Sequence, residues 1–243
     1  MECEYNDLRR ECLFYHKRLS CDDLHKLPQI LKIQGLSKRY GDQEVLRLVD
    51  WTLVKGSKTL LKGANGSGKT TLFKILTTLI RPTSGSIEID GRSIWSDPIR
   101  ARHSFSYLSP DERSFYWRLS ARRNLLFFGT LQRLSEKESP KRFEPLAEKL
   151  GILDVLTRPF QEFSSGMRQK LALVRALMLD RPLYLLDEPE RHLDGKSVDL
   201  LKSLLEEKTA KGAAVLVATA TDGFHLGGPS FRLENGKIQE ETT

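Results

Sequence analysis

No stretch of this chain is apolar enough, for long enough, to cross a bilayer. Its longest uninterrupted apolar run is the six residues from Ala213 to Ala218, where a spanning helix needs roughly 18 or more. Any service to a membrane is therefore expected from outside the lipid. Cysteine is scarce: 3 in 243 residues, all before residue 22, which argues against a disulfide scaffold and fits a reducing compartment. The N-terminal Met1-Glu2-Cys3-Glu4 has acidic residues where a secretory signal has a basic start and an apolar stretch, so no such signal is expected. Internal repeats and low-complexity tracts are lacking too, which removes solenoids and arrays. What is present describes an ordinary globular protein, with 39% hydrophobic and 29% charged residues, long enough for one core with an inserted subdomain. The net charge of +7 suits nucleic acid, anionic lipid or a polyanionic nucleotide and does not choose among them.

Residues 1–29 stand apart as a polar, charge-rich extension ending near Leu27-Pro28. Cys12 and His16, and again Cys21 and His25, stand four residues apart, a spacing that puts each pair on one helical face as metal ligation needs. Nine residues separate the pairs, so on a single helix they face opposite ways. From Ile30 the pattern alternates. Ile30–Ile33 and Val45–Val54 read as strands around a Tyr40-Gly41-Asp42 turn. Thr59–Leu61 reads as a strand running into a glycine-rich loop. The helix after it places Leu72, Ile75, Leu76 and Leu79 on one face and stops at Arg81-Pro82. Ile87 and Ile89 alternate with polar residues before an Asp90-Gly91 turn. About 115–180 reads as mostly helical, broken at Gly151 and Pro159. Leu183–Leu186 and Val215–Ala218 read as buried strands with a helix over about 196–208 between them. Strands alternating with helices predict a parallel sheet covered on both faces.

Gly63-Ala64-Asn65-Gly66-Ser67-Gly68-Lys69-Thr70 fits the phosphate-loop pattern G-x-x-x-x-G-K-[ST] at every fixed position. Glycines let successive backbone N–H groups turn inward around phosphate oxygens, and a helix beginning at Lys69 adds positive potential, with Thr71 next along it. Lys69 is the cation for the β- and γ-phosphates, and the Thr70 hydroxyl is a ligand for Mg²⁺. Leu183-Tyr184-Leu185-Leu186-Asp187-Glu188 supplies the complementary half: an apolar strand with two carboxylates at its C-terminal end, where ligands of open α/β sheets sit. Asp187 is placed to hold the Mg²⁺ shell and Glu188 to polarise an attacking water.

Phe163-Ser164-Ser165-Gly166-Met167-Arg168-Gln169, before that strand, resembles the signature motif of ABC-type ATPases, usually L-S-G-G-Q. It opens a helix whose apolar face is Leu171, Val174, Leu177 and Met178. The resemblance covers about residues 31–238. It implies a RecA-like P-loop α/β core with an antiparallel β subdomain and an inserted helical subdomain at about 105–167, inside an ATPase domain spanning 30–243. It also implies that Ser164, Ser165 and Gly166 meet the γ-phosphate of ATP held by a second subunit, so that function requires a homo- or heterodimer. Tyr40 falls where the family stacks an aromatic on adenine, and Leu193-Asp194 matches the family's D-loop. Ser109–Arg118 occupies the Q-loop region that touches the membrane partner; its aromatics suit either a docking patch or subdomain core.

Two departures from the family matter. Asp111 stands for the Q-loop glutamine, able to accept from water near Mg²⁺ with a side chain one methylene shorter. Thr219 is followed by Ala220 where the family usually has a histidine, and His225 is five residues too late. Losing one donor at the γ-phosphate typically lowers a rate by about 10²–10³. The resemblance implies an ATP-hydrolysing subunit that uses ATP and Mg²⁺ and drives separate transmembrane permease subunits from the cytoplasmic face, with no nucleic acid partner; Ala220 implies slow hydrolysis. A catalytically weak regulatory subunit and a non-transport ABC ATPase are the rivals. Only 94 residues separate Lys69 from Ser164, without sustained heptads, which disfavours chromosome-type members.

Overall fold

A computed structural model describes residues 28–110 and 114–241. The two Cys/His pairs and Asp111 lie outside the described residues. In chain order, β1 (Gln29–Tyr40), β2 (Gln43–Val54) and β3 (Lys58–Lys62) lead to helix α1 (Lys69–Leu76). Strands β4 (Ser84–Ile89) and β5 (Arg92–Ser93), the short α2 (Pro98–Ala101) and β6 (Phe105–Leu108) follow. Helices α3 (Ala121–Leu131), α4 (Glu138–Lys149) and α5 (Ser165–Leu177) precede β7 (Leu183–Asp187). Helix α6 (Gly195–Ala210), β8 (Ala214–Thr219), β9 (Ser230–Glu234) and β10 (Lys237–Glu240) complete the order.

Two sheets result. The antiparallel sheet has the order β2-β1-β4-β5, and the main sheet the order β10-β9-β3-β8-β7-β6. In the main sheet β3, β6, β7, β8 and β9 pair in parallel, with β10 antiparallel at the edge. Every residue of β7 and β8 is buried, the reason their sequences are continuous apolar runs rather than alternations. The two faces still divide with period two. Leu183, Leu185, Leu216 and Ala218 join the core shared with α1 and the antiparallel sheet. Tyr184, Leu186, Val215 and Val217 join the core shared with α5 and α6. The C-terminal ends of the neighbouring parallel strands β3, β8 and β7 thereby lie side by side at one edge of the sheet.

Three sequence expectations shift. The first strands are longer than expected: β1 runs through several register irregularities to Tyr40, because pairing with both β2 and β4 holds it across its bulges. Helix α1 stops at Leu76. Thr78 takes a left-handed φ of 62°, its N–H bonds Ile75 O at 3.0 Å and the Leu79 N–H bonds Lys74 O at 2.9 Å. Those two bonds form a Schellman closure, which ejects Leu79 from the buried face and leaves it 59% exposed. The helical insertion cannot begin at 105, since Phe105–Leu108 pairs with Leu183–Leu186 in the main sheet; the helices start beyond it.

The helical segment is closed by local chemistry. Ser120 caps α3 by accepting from the Arg123 N–H, and Ser135 and Glu138 form a reciprocal capping box ahead of α4. Phe115 is buried and stacks on Phe160 with centroids 4.7 Å apart. Tyr116 and Trp117 remain exposed, so the aromatic run divides between core and surface.

Candidate nucleotide site

The phosphate loop joins β3 to α1. Gly66 and Gly68 have φ of 82° and 107°, backbone that side chains rarely adopt. At Gly68 a Cβ would also sit 3.0 Å from Val45 Cγ1 and 3.2 Å from Val45 O. No side chain caps the start of α1, which leaves its first N–H groups for an anion. Ser67 Oγ is buried without a hydrogen-bond partner. Ala64, Asn65 and Gly66 form the exposed rim, while Thr70 and Thr71 are half-buried.

Lys69 is 5% exposed, and its Nζ donates to Gly63 O at 2.6 Å and Ala64 O at 3.1 Å. Burial lowers the pKa of its ammonium, and the charges of Glu188, Asp187 and Glu190 oppose that shift. Thr70 Oγ1 donates to Asp187 Oδ2 at 2.9 Å. Asp187 is 1% exposed, and its other oxygen, Oδ1, is buried with no partner. Burial first, then the neighbouring carboxylates, push the Asp187 carboxyl up to about 6, against the Thr70 hydrogen bond and Lys69. A buried hydroxyl–carboxylate pair with an orphaned carboxylate oxygen, next to a lysine, is a donor set that fits a hard divalent cation and a polyphosphate.

Glu188 follows β7 with a left-handed φ of 51°, a conformation unfavourable by about 1 kcal/mol for a residue with a Cβ. It is held there from two sides. Its N–H bonds Ala218 O at 2.8 Å, and Gln169 Nε2 from α5 donates to Glu188 O at 3.2 Å and Pro189 O at 2.9 Å. Arg191 Nη1 stands 3.8 Å from Glu188 Oε2. The fixed turn points a carboxylate out of the sheet end beside Lys69 and Asp187.

The structure thus brings Lys69, Thr70, Asp187 and Glu188 to one end of the sheet. The other expected site residues lie on separate elements. Tyr40 ends β1, 49% exposed, with Lys38 Nζ 4.9 Å from its ring centroid. Ser164 caps α5 by accepting from the Met167 N–H at 3.3 Å, and Ser164 and Ser165 face solvent. Gly166 lies beneath the turn after Glu188: a Cβ there would be 3.0 Å from His192 O. Ala220 and His225 are exposed. Sequence reasoning included Gln169 in the signature-like motif but not its role in tying that helix to the Glu188 turn, and it missed Glu190, whose carboxylate accepts from the Thr219 hydroxyl. A further acid two positions past Asp187-Glu188 was the available signal for Glu190; the motif marked Gln169 itself, and nothing local marked its partners.

A parallel α/β sheet with this loop belongs to the P-loop class of nucleotide-binding proteins. The family model described as "ABC transporter" matches residues 46–191, and the chain belongs to that family as an ATP-binding subunit. It is 31% identical over 194 residues to the ABC transporter ATP-binding protein NatA of Bacillus subtilis (strain 168), covering 78% of this chain and 79% of that protein. It is 34% identical over 190 residues to the lantibiotic transport ATP-binding protein SrtF of Streptococcus pyogenes, covering 78% and 80%. Among solved structures, an ATP-binding subunit of an ABC transporter superposes with a TM-score of 0.79 at 30% identity over 88% of this chain and 90% of that one. CbiO1 from Clostridium perfringens, described as part of the transporter complex cbiONQ, gives 0.74 at 26% identity, covering 87% of each. Among the described residues, no helix is long and apolar enough to cross a membrane.

Proposed function

We propose that the chain hydrolyses Mg-ATP as one half of an ATPase dimer and so drives transport by separate membrane subunits, from the cytoplasmic face. The observation that carries this is the Thr70–Asp187 pair with its orphaned, buried Oδ1, next to a Lys69 whose ammonium rests on the loop carbonyls of Gly63 and Ala64. On nucleotide binding, Lys69 exchanges those carbonyls for β- and γ-phosphate oxygens, and the N–H groups at the uncapped start of α1 take the remaining charge. Thr70 and Asp187 would hold Mg²⁺, which supplies charge neutralisation on the triphosphate; Asp111 would join them through water. Glu188, fixed by Gln169 and Ala218, orients the attacking water and accepts its proton. Tyr40 stacks on adenine. Ser164 and Ser165 face outward, with Gly166 half-buried behind them, as a contribution to a second subunit's nucleotide requires. One relative is named for Nod factor export, which supports export as the direction.

Ala220 supports a refinement, slow intrinsic turnover. With no donor there, transition-state charge at the γ-phosphate loses a stabilising group, worth about 10²–10³ in rate at comparable positions. The test is ATP turnover of the purified protein with Mg²⁺, wild type beside Ala220→His. Slow wild-type turnover raised about tenfold or more by the histidine supports the refinement. Fast wild-type turnover that the histidine leaves unchanged makes Glu188 sufficient and removes it.

A further inference from the structure

The loop that leaves β8 has no titratable side chain at position 220, yet its backbone is held. Thr219 is fully buried. Its hydroxyl does two things at once: it donates to Glu190 Oε1 and accepts from the Thr221 N–H at 2.9 Å. Glu190 sits on the turn after β7, two residues beyond Glu188, and its second oxygen is buried without a partner. The two turns already touch through the Glu188 N–H on Ala218 O. Glu190 adds a side-chain bridge across the same seam, flanking Ala220 on both sides.

Such a carboxylate is an expensive choice. Burial pushes its pKa up, and Glu188 adds to that shift, with Thr219 pulling the other way. Its charge also acts on Lys69 and Asp187, so it shares the field of the nucleotide site. A neutral hydroxyl or amide would tie the seam without adding a third acid there.

We propose that Glu190 is a positioning residue for the hydrolytic step: through the Thr219 hydroxyl it fixes the Thr219–Thr221 backbone against the Glu188 turn, setting the wall of the site at the γ-phosphate end. The inference rests on the nucleotide-site reading above. The part Glu190 plays is that of a hydrogen-bond acceptor; no proton or bond changes hands at it.

The test compares Glu190→Gln, Glu190→Ala, Thr219→Val and the Glu190→Ala/Thr219→Val double variant in the full chain. Turnover is read against ATP concentration with Mg²⁺, and backbone amide exchange is read over residues 219–224. Glutamine retains a carbonyl acceptor, so Glu190→Gln is expected within about threefold of wild-type kcat, with loop exchange unchanged. A displaced wall lowers kcat by about tenfold in Glu190→Ala and Thr219→Val, with KM for ATP little changed, since sub-ångström misplacement acts on the reacting geometry rather than on binding. The double variant is expected to be no worse than either single one, because both remove the same bond. Amide exchange over 219–224 should quicken in both single variants. Wild-type kcat in Glu190→Ala, additive losses in the double variant, or a loss in Glu190→Gln equal to that in Glu190→Ala each overturns the proposal. If wild type turns over no faster than Lys69→Ala, hydrolysis itself fails, and the exchange readout alone then decides whether Glu190 fixes the loop.

Discussion

The two ends of the nucleotide site are built on different principles. At the phosphate-loop end, the geometry is carried by backbone: glycines at positive φ, an uncapped helix start, and a lysine that rests on loop carbonyls. At the other end, formed by the turns after β7 and β8, it is carried by side chains: Gln169 to Glu188 and Pro189, and Thr219 to Glu190. Backbone-built sites admit few substitutions, because a Cβ in the wrong place cannot move away. Side-chain-built sites can exchange one solution for another as long as the turns stay in register. In this chain the first end keeps the family's pattern at every fixed position, and the second lacks the expected histidine and holds its loop with a buried carboxylate instead.

The largest expected effect falls on the second end. Glu188→Gln keeps the size and the backbone conformation of the turn but cannot accept a proton from water, and turnover should fall by about 10²–10³ while ATP binding persists. Nucleotide affinity measured beside single-turnover hydrolysis checks this; retained hydrolysis would move the water-orienting role to another group and weaken the contrast between the ends.

The first end should respond in the opposite sense, through binding. In Gly68→Ala the native φ of 107° becomes strained, and the new Cβ presses on Val45 Cγ1 and O. The loop must open, and ATP affinity should drop about tenfold or more, since one misdirected turn disturbs several N–H donors together. Titration with a fluorescent ATP analogue reads this directly. An affinity equal to wild type would mean that the loop reshapes freely and that the backbone is not the rigid partner.

The same division explains what was legible in the sequence. The loop Gly63–Thr70, the β7 carboxylates and the α/β alternation were readable because each is a local pattern with one physical meaning. The fully buried β7 and β8 declared themselves as unbroken apolar runs. The end of α1 was misjudged by apolar spacing, because Thr78 gives no sequence sign that it will adopt a left-handed φ. Strand β6 was absorbed into the helical insertion because Phe105–Leu108 is only four residues long and is defined by its partner β7. The contacts of Glu190 and Gln169 were invisible for a related reason: each acts on residues 19 to 29 positions away, and no spacing rule carries a contact between turns.

The smallest effect concerns a residue that links the ends, Asp187, in metal-free protein without nucleotide. Its folded carboxyl titrates near 6 instead of the ordinary 3.8 because it is buried. The folded state therefore holds a proton that the unfolded chain releases. Its contribution to stability is greatest below about 3.8, declines as pH rises through the window to about 6, and stays at its low value above it. Asn at this position has no charge to bury and keeps an acceptor for Thr70. Asp187→Asn should thus raise the apo melting temperature at pH 7.5 by a few degrees, of order 1 kcal/mol, and flatten the decline that wild type shows between about pH 4 and 6. The same variant should lose the extra thermal stabilisation that Mg-ATP gives wild type, because the orphaned oxygen that would meet the cation is gone. Melting curves with and without Mg-ATP read both halves. A variant less stable than wild type without ligand would show that the Thr70–Asp187 bond outweighs the burial of the charge, and that the phosphate-loop end is held by its side chains as well as by its backbone.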